Sequence, residues 1–279
     1  MTHSILWGEY PIGDHRILCP ACGTSPRKKD MGVTILSPEH GIAHCFKCGL
    51  IASKRDQREL SEVERRAYKR RMDALRKQHD AEQRERQARA AAGASQRWLA
   101  SVPALDHPYL SAKGIKPHGI RVEAGHTLLI PLRDGKGHIH SLQSIAPDGS
   151  KHFMPGGRTK GCYHAIGQAS GRLLIAEGYA TAATLHEQTG YAVAVAFNCG
   201  NLLPVAQMLR AKYPCLTLVL CADDDWTTEG NPGLTAASAA AHAVGGLLAV
   251  PDFSGLDRQG GDTYFNDLQR LAGRVEVME

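Results

Sequence analysis

The sequence contains no run of about 18 or more apolar residues, and this absence argues against a membrane span. The first ten residues, MTHSILWGEY, lack the basic stretch followed by an apolar stretch that marks a secretory signal. The eight cysteines do not suggest a disulfide framework, because four form two Cys-x-x-Cys pairs and the others lie singly among apolar neighbours. We therefore expect a protein of the reducing cytoplasm with a metal site and no association with a membrane.

Glycine and proline are missing from residues 54–92, a stretch rich in charged residues. Such a composition favours a helix, and its apolar positions are too sparse for a broad buried face. We interpret residues 54–97 as a charged helical linker. Two roles stay open for it, a solvated connection and a contact with the backbone of a nucleic acid.

Charge is distributed unevenly along the 279 residues, whose formal net charge is +5. Residues 1–170 carry a net charge of +11 and residues 171–279 a net charge of −6. A basic segment attracts polyanions such as nucleic acids. An acidic segment joined to it is unusual for a simple DNA-binding protein and suggests that metal ions bind there.

The order of apolar runs and turns predicts an α+β protein. The linker separates a small domain, residues 1–53, from two subdomains, residues 98–170 and 171–279. Residues 1–53 read as a small β ribbon, and residues 98–170 read as strands and turns of a mixed α/β basic subdomain. Residues 171–279 alternate the apolar runs LLIAE, AVAVAF, LTLVLCAD and LLAVPD with helix-forming stretches. Strands that are apolar on both faces and alternate with helices predict an α/β subdomain with a parallel sheet.

Two motifs of one form, CPACG and CFKCG, supply Cys19, Cys22, Cys45 and Cys48. Two such knuckles complete a tetrahedral all-thiolate site, which favours structural zinc. Basic and aromatic residues surround the motifs, namely Arg16, Arg27, Lys28, Lys29, Phe46 and Lys47. This surface suits single-stranded nucleic acid, which is bound through phosphate contacts and base stacking. A purely structural ribbon is the alternative.

Carboxylates end several of the predicted strands in the acidic half. Glu177 ends the first, Asp223 ends LTLVLCAD with Asp225 two residues after it, and Asp252 ends LLAVPD. Because the carboxyl ends of parallel strands meet at one edge of a sheet, these side chains are expected to converge there, with Asp224 pointing away. Converging carboxylates favour Mg²⁺ or Mn²⁺, and two such ions suit phosphoryl transfer. The alternative is that the aspartates open a polar loop and cap the next helix.

A Glu-Gly at one strand end and an Asp-x-Asp two strands later resemble the Toprim domain of primases and topoisomerases. The chain is similar to phage- and plasmid-type DNA primases in its four-cysteine motif. The basic segment LLIPLRDGKGHIHSLQSIAPDGSKHFMPGGRTKGCYH and the later segments LLIAEGYATAATLHEQTG, VAVAFNCGNL, LCADDDW, NPGLTAA and FNDL extend the similarity. Type IA topoisomerases share the Toprim part but need a separate tyrosine-bearing domain, for which this chain has no room.

The resemblance implies that Glu177 is a metal ligand or general acid/base and that Asp223 and Asp225 are ligands of Mg²⁺ or Mn²⁺. It also implies that the basic side chains Lys151, Arg158 and Lys160 face the incoming nucleotide and the template. Cations opposite the metal ions are what a triphosphate requires. The alternative for this segment is a solvated basic loop.

The chain departs from the family pattern at three points. Thr181 stands where many Toprim enzymes have an acidic residue, which leaves Asp252 as our candidate for a further metal ligand. Tyr264 replaces the first acid of the usual Asp-Phe-Asn-Asp motif, which weakens any role for Asp267. No Walker motif is present, so a helicase is expected as a separate partner unless the chain is a fragment.

These features together predict a DNA primase of a bacterial, phage- or plasmid-type replication system. It would synthesise short RNA primers from NTPs on a single-stranded DNA template, with structural zinc and catalytic Mg²⁺ or Mn²⁺. Two other functions stay open. One is a non-catalytic zinc-ribbon DNA-binding replication factor, and the other is a Toprim nuclease that uses the same carboxylates.

Overall fold

The computed structural model describes residues 5–22, 29–54 and 62–275. The chain divides into two compact units, Met1–Gln83 and Arg84–Glu279. The helix α1, Glu62–Ala100, begins in the first unit and ends in the second. It contains most of the predicted linker, and no described helix is both long enough and apolar enough to cross a membrane.

The first unit contains an antiparallel ribbon of four strands in sequential order. These are β1 (Gly13–Ile17), β2 (Met31–Ser37), β3 (His40–Cys45) and β4 (Ile51–Lys54). Alternate residues of β2 are buried because a strand points successive side chains to opposite faces. Met31, Val33 and Ile35 therefore form a small core with Cys19 and Cys45. The cysteine motifs are thus anchored in the core of the ribbon.

The second unit begins with an antiparallel sheet. Its strands, in spatial order, are β5 (Val102–Pro103), β6 (Arg121–Glu123), β7 (Thr127–Arg133), β8 (Ile139–Ile145) and β9 (Lys151–Phe153). The short helix α2, Pro108–Lys113, lies between β5 and β6 in the chain. These strands lie within residues 98–170.

The other sheet of this unit is mixed. Its strands are β10 (His164–Ile166), β11 (Arg172–Ala176), β12 (Ala192–Val195), β13 (Thr217–Cys221) and β14 (Leu247–Ala249). The spatial order is β10-β12-β11-β13-β14. Strands β11 to β14 are parallel, as the apolar runs predict, whereas β10 joins the edge antiparallel to β12. The α+β fold class is confirmed, and β10 is the strand that the sequence pattern did not reveal.

Helices cover both faces of this sheet, which explains why its strands are apolar throughout. They are α3 (Tyr179–Thr189), α4 (Leu202–Lys212), α5 (Pro232–Val244) and α6 (Phe265–Ala272). Alternate residues of β11 enter different cores: Leu174 packs in the core shared with α3 and α6, and Ile175 in the core shared with α4 and α5. Burial on both faces leaves the strand ends as the place for polar side chains.

Candidate functional site

The four predicted cysteines form one cluster in the ribbon. Their sulfur atoms all lie within 4.8 Å of one another, with Sγ atoms 3.7 Å apart for Cys19 and Cys48 and 3.6 Å apart for Cys22 and Cys45. The backbone N–H groups of Cys48 and Lys47 each donate to Cys45 Sγ at 3.4 Å. These bonds, with that of Cys48 first, lower the pKa of Cys45 to about 6. Four converging sulfurs, one already favoured as thiolate, fit a structural zinc ion.

Next to this cluster the ribbon exposes an aromatic ring between basic groups. The Phe46 side chain is 62% exposed, and the guanidinium of Arg16 lies 4.3 Å from its ring centroid. The ring of His44 meets Phe46 edge-on at 5.1 Å. Gly32 makes room, since a Cβ there would be 3.1 Å from the Phe46 ring. Of the predicted basic surface, Arg27 and Lys28 lie outside the described residues.

Glu177 and the Asp223–Asp225 pair follow neighbouring strands. Ala176, the last residue of β11, pairs with Cys221, the last residue of β13, in parallel register. The residues that follow these two therefore leave the sheet at one edge. The predicted convergence of the acidic residues at that edge agrees with this register.

Asp223 is the buried centre of this acidic edge. It is 4% exposed, and within the described part of the chain its Oδ1 has no hydrogen-bond partner. Burial, followed by the charges of Glu177, Asp225 and Asp267, raises its pKa to about 8, against a lowering effect of Lys151. Burial and Asp225 likewise raise the pKa of Glu177. A buried carboxylate that has an oxygen free of hydrogen bonds and lies among other carboxylates is the donor set that a hard divalent cation neutralises.

The start of α5 contacts the aspartates through hydrogen bonds. Asn231, with φ of 39°, accepts through Oδ1 from the backbone N–H of Asp225 at 2.9 Å and of Leu234 at 3.4 Å. The N–H of Gly233 donates to Asp225 Oδ2 at 3.1 Å. The N-cap of α5 is thus Asn231, and the alternative that the aspartates are simply helix caps applies only in part, to Asp225.

The side chain of Asp224 has different partners, of which it shares only Asn231 with Asp225 among the described residues. Its Oδ2 accepts from Arg258 at 2.8 Å and its Oδ1 from Asn231 Nδ2 at 2.6 Å. Arg258 also donates to the backbone oxygen of Asp224 at 2.9 Å, and its guanidinium lies over the rings of Phe253 and Trp226. The prediction that Asp224 has a different role from its two neighbours agrees with these contacts.

The structure gives Asp252 and Asp267 different surroundings from those the sequence suggests. Asp252 is exposed, and its Oδ1 accepts from the backbone N–H of Ser254 at 2.9 Å. Asp267 is 7% exposed, and its charge acts on Asp223. Its Oδ2 accepts from the N–H groups of Thr263 and Tyr264, both at 3.1 Å, at the start of α6. We call Glu177, Asp223, Asp225 and Asp267, whose charges act on one another, the acidic centre. The assignment of Asp252 as a metal ligand stays a prediction, and no contact within the described part of the chain supports it. The motif FNDL was the available signal for Asp267.

The predicted basic residues divide between two places. Lys151 lies at the start of β9, with Nζ 5.3 Å from the ring centroid of Tyr109. Surrounding protein atoms lower its pKa, and the charges of Asp223 and Glu177 act in the opposite direction. Lys151 is therefore a cation whose charge acts on Asp223 and Glu177.

Arg158 and Lys160 line a cleft of about 500 Å³. The other lining residues are Asp134, Gly135, Lys136, His138, Gly161 and Met208. Although burial raises the pKa of Asp134, hydrogen bonds from His140 and from the backbone N–H groups of His138 and Lys136 hold it well below its usual value. Ionised Asp134 orders the loop and lies 3.7 Å from the Arg158 guanidinium. We name the site formed by these eight lining residues the basic cleft.

Parts of the chain are similar in sequence to known proteins. Residues 171–250 match the Toprim domain family. A DNA primase TraC of Escherichia coli is 40% identical over 187 residues, which cover 62% of this chain and 18% of that protein. A second Escherichia coli DNA primase TraC is 39% identical over 175 residues, which cover 59% of this chain and 12% of that protein. The chain thus matches less than a fifth of the length of either relative, and the resemblance to primases with a Toprim domain is confirmed.

Among solved structures, the primase fragment of the bacteriophage T7 primase-helicase protein is similar, with 13% identity and a TM-score of 0.43. The alignment covers 92% of this chain and 94% of that one.

Proposed function

We propose that the chain is a DNA primase that joins NTPs into short RNA primers on single-stranded DNA. The observation that carries the proposal is the buried Asp223 carboxylate, whose Oδ1 has no hydrogen-bond partner among the described residues. The charges of Glu177 and Asp225 act on it, and the charge of Lys151 opposes them. Such a cluster is poorly suited to stabilising a fold by itself, because burial and mutual repulsion both disfavour its ionised form. The Toprim match over this segment and the TraC relatives support the same function.

Glu177, Asp223 and Asp225 would hold the catalytic Mg²⁺ or Mn²⁺, with Asp267 close by. When bound, these ions would activate the 3′-hydroxyl and stabilise the leaving pyrophosphate. The chain itself orients these residues: the N–H of Gly233 donates to the Asp225 carboxylate, and the N–H of Phe197 donates to the backbone oxygen of Glu177. Fixed carboxylates need little rearrangement during the reaction.

Cations of the basic subdomain would bind the anionic substrates. Lys151, next to the acidic centre, would neutralise phosphate oxygens of the nucleotide near the reacting atoms. Arg158 and Lys160, in the basic cleft, would hold the rest of the triphosphate or the template backbone. Charge-assisted hydrogen bonds of this kind hold and orient phosphate groups.

The zinc ribbon would supply a separate template contact. Exposed Phe46, flanked by Arg16 and His44, offers a ring on which a base can stack and a cation for the adjacent phosphate. The proposed organisation is therefore a zinc-binding domain over residues 1–53, a helical linker over 54–97, a basic subdomain over 98–170 and a Toprim subdomain over 171–279. A cytoplasmic site of action and a separate replicative helicase complete the proposal.

A primer-synthesis assay tests the function against its two rivals. The full chain is incubated with single-stranded DNA templates and Mg²⁺ or Mn²⁺, with and without labelled NTPs. A primase makes labelled RNA only when NTPs are present, and it leaves the DNA intact. DNA fragments formed without NTPs would establish the nuclease. DNA binding with neither reaction, together with no Mn²⁺ binding that depends on Glu177, would establish the non-catalytic replication factor.

A further inference from the structure

Asn201 connects the basic cleft to the acidic centre. It is 3% exposed and stands immediately before α4. Its Nδ2 donates to the carbonyl oxygens of Cys162 at 2.9 Å and Ala196 at 2.8 Å, and its Oδ1 accepts from the N–H of Gly161 at 2.8 Å. Both donor positions of the amide are used, so one buried side chain joins two segments that are distant in sequence.

The first of these segments carries the cations of the basic cleft. Gly161 directly follows Lys160, and the N–H of Cys162 donates to Thr159 at 2.9 Å, which closes the turn. Within the turn, Arg158 forms its 3.7 Å ion pair with Asp134. The bonds from Asn201 to Gly161 and Cys162 therefore fix the backbone on which Arg158 and Lys160 are presented.

The second segment holds Glu177. The N–H of Ala196 donates to Ala176 at 2.8 Å, and that of Phe197 donates to the backbone oxygen of Glu177 at 2.7 Å. Asn201 is thus bonded at Ala196 to the same stretch of backbone that positions the glutamate.

We propose that Asn201 is a positioning residue for nucleotidyl transfer, which sets the spacing between the turn carrying Arg158 and Lys160 and the strand end carrying Glu177. This inference rests on the proposed function. A triphosphate held at one end by the cleft and at the other by the acidic centre depends directly on that spacing. A shift of about 1 Å in such an arrangement costs on the order of 100-fold in rate.

Two substitutions and a control test the proposal in the full chain. Asn201→Ala removes all three bonds, and Asn201→Asp keeps an acceptor for Gly161 but cannot donate to the two carbonyls. Thr184→Val is the control, because it removes a buried hydroxyl that accepts from Asn266 at 2.9 Å, away from the two segments that Asn201 joins. We expect both Asn201 variants to lose about 100-fold in kcat/KM for NTP in dinucleotide synthesis. Their Mn²⁺ affinity, measured by titration calorimetry, should stay within about twofold of the wild type, since the carboxylates remain.

A double-mutant cycle separates positioning from general destabilisation. If Asn201 acts through the cleft, Asn201→Ala should add little to the loss caused by Arg158→Ala together with Lys160→Ala, whereas Thr184→Val should act independently. Losses that multiply for Asn201→Ala, or an Asn201→Ala variant as active as Thr184→Val, would overturn the inference alone. A wild-type chain that makes no dinucleotide would instead overturn the proposed function and the inference with it.

Discussion

The backbone N–H of Gly233 donates to Asp225 Oδ2 across 3.1 Å, so the first turn of α5 lies directly against the acidic centre. A Cβ at position 233 would lie 2.6 Å from the backbone oxygen of Asp223 and 3.0 Å from Asp225 Oδ2. A close approach of this kind requires glycine. The geometry of the two aspartates is therefore coupled to the NPG sequence that starts the helix.

Gly233→Ala should displace the aspartates. The overlap with Asp223 should lower the free energy of unfolding by about 1–3 kcal/mol, measured by urea denaturation, and should weaken Mn²⁺ binding. Gly261→Ala is the matched control, since a Cβ there meets no atom within 4 Å. Mn²⁺ affinity that is equal in the two variants would show that the close packing at Gly233 is unrelated to the site.

The raised pKa of Asp223 predicts a pH-dependent stability when the acidic centre holds no divalent cation. Its folded-state pKa of about 8 lies above the ordinary value near 4. The folded state therefore binds the extra proton, and this stabilisation is present at low pH and lost as pH rises through the window from about 4 to 8. Urea denaturation of the zinc-loaded protein without Mg²⁺ should show a loss of a few kcal/mol across that window, to order of magnitude.

Asp223→Asn supplies the control for that titration. The amide cannot ionise, so the loss of stability between pH 4 and 8 should be much smaller in this variant. Added Mn²⁺ should also reduce the loss in the wild type, because binding to the folded state favours it. A wild type and variant with the same pH dependence would mean that Asp223 titrates normally.

Asp267 and Asp252 give opposite predictions for metal binding. Asp267→Asn keeps an oxygen for the N–H groups of Thr263 and Tyr264 but removes a charge that acts on Asp223. We expect Mn²⁺ affinity to fall by roughly 10-fold or more, as for residues that support metal ligands. Asp252→Asn should leave the affinity unchanged, because its carboxylate is exposed and bonded to Ser254. The reverse result would restore Asp252 as the ligand.

The cysteine cluster predicts one zinc ion per chain, held independently of the acidic centre. Cys45→Ser should release the ion, measured by metal analysis, and should destabilise the ribbon, because its core includes Cys45. Primer initiation on DNA should fall while Mn²⁺ binding at the carboxylates persists. The exposed Cys215→Ser is the control and should retain zinc. Full zinc content in Cys45→Ser would contradict the assignment of the site.

The parts of the fold and site that could be predicted are those that depend on local pattern. Apolar strands ending in Glu177 and in Asp223 and Asp225 predict a parallel sheet and a shared edge, and the register of β11 with β13 agrees. The spacing of the four cysteines similarly implies their cluster. The carboxyl ends of neighbouring parallel strands lie at one edge of the sheet, whatever the conformation of the loops. The proximity of residues at these ends can therefore be predicted from sequence.

What could not be predicted depends on irregular backbone. Asp252 and Asp267 both follow β14, and only the path of the loop between them decides which acid reaches Asp223. The separation of Lys151 from Arg158 and Lys160 likewise arises from the turn after β9. The bonds of Asn201 join segments whose proximity no periodicity encodes.

The most direct test of the central claim is primer synthesis by the Asp223→Ala plus Asp225→Ala double variant. Each protein is given labelled NTPs, divalent cation and defined single-stranded DNA templates. Asp257→Asn is the control, because it removes the charge of an exposed aspartate. The wild type and the control should synthesise primers fully, and the double variant should lose several orders of magnitude in rate, because two proposed ligands of the catalytic ions are gone. Primer synthesis by the double variant at the wild-type rate would contradict the proposed metal-dependent mechanism.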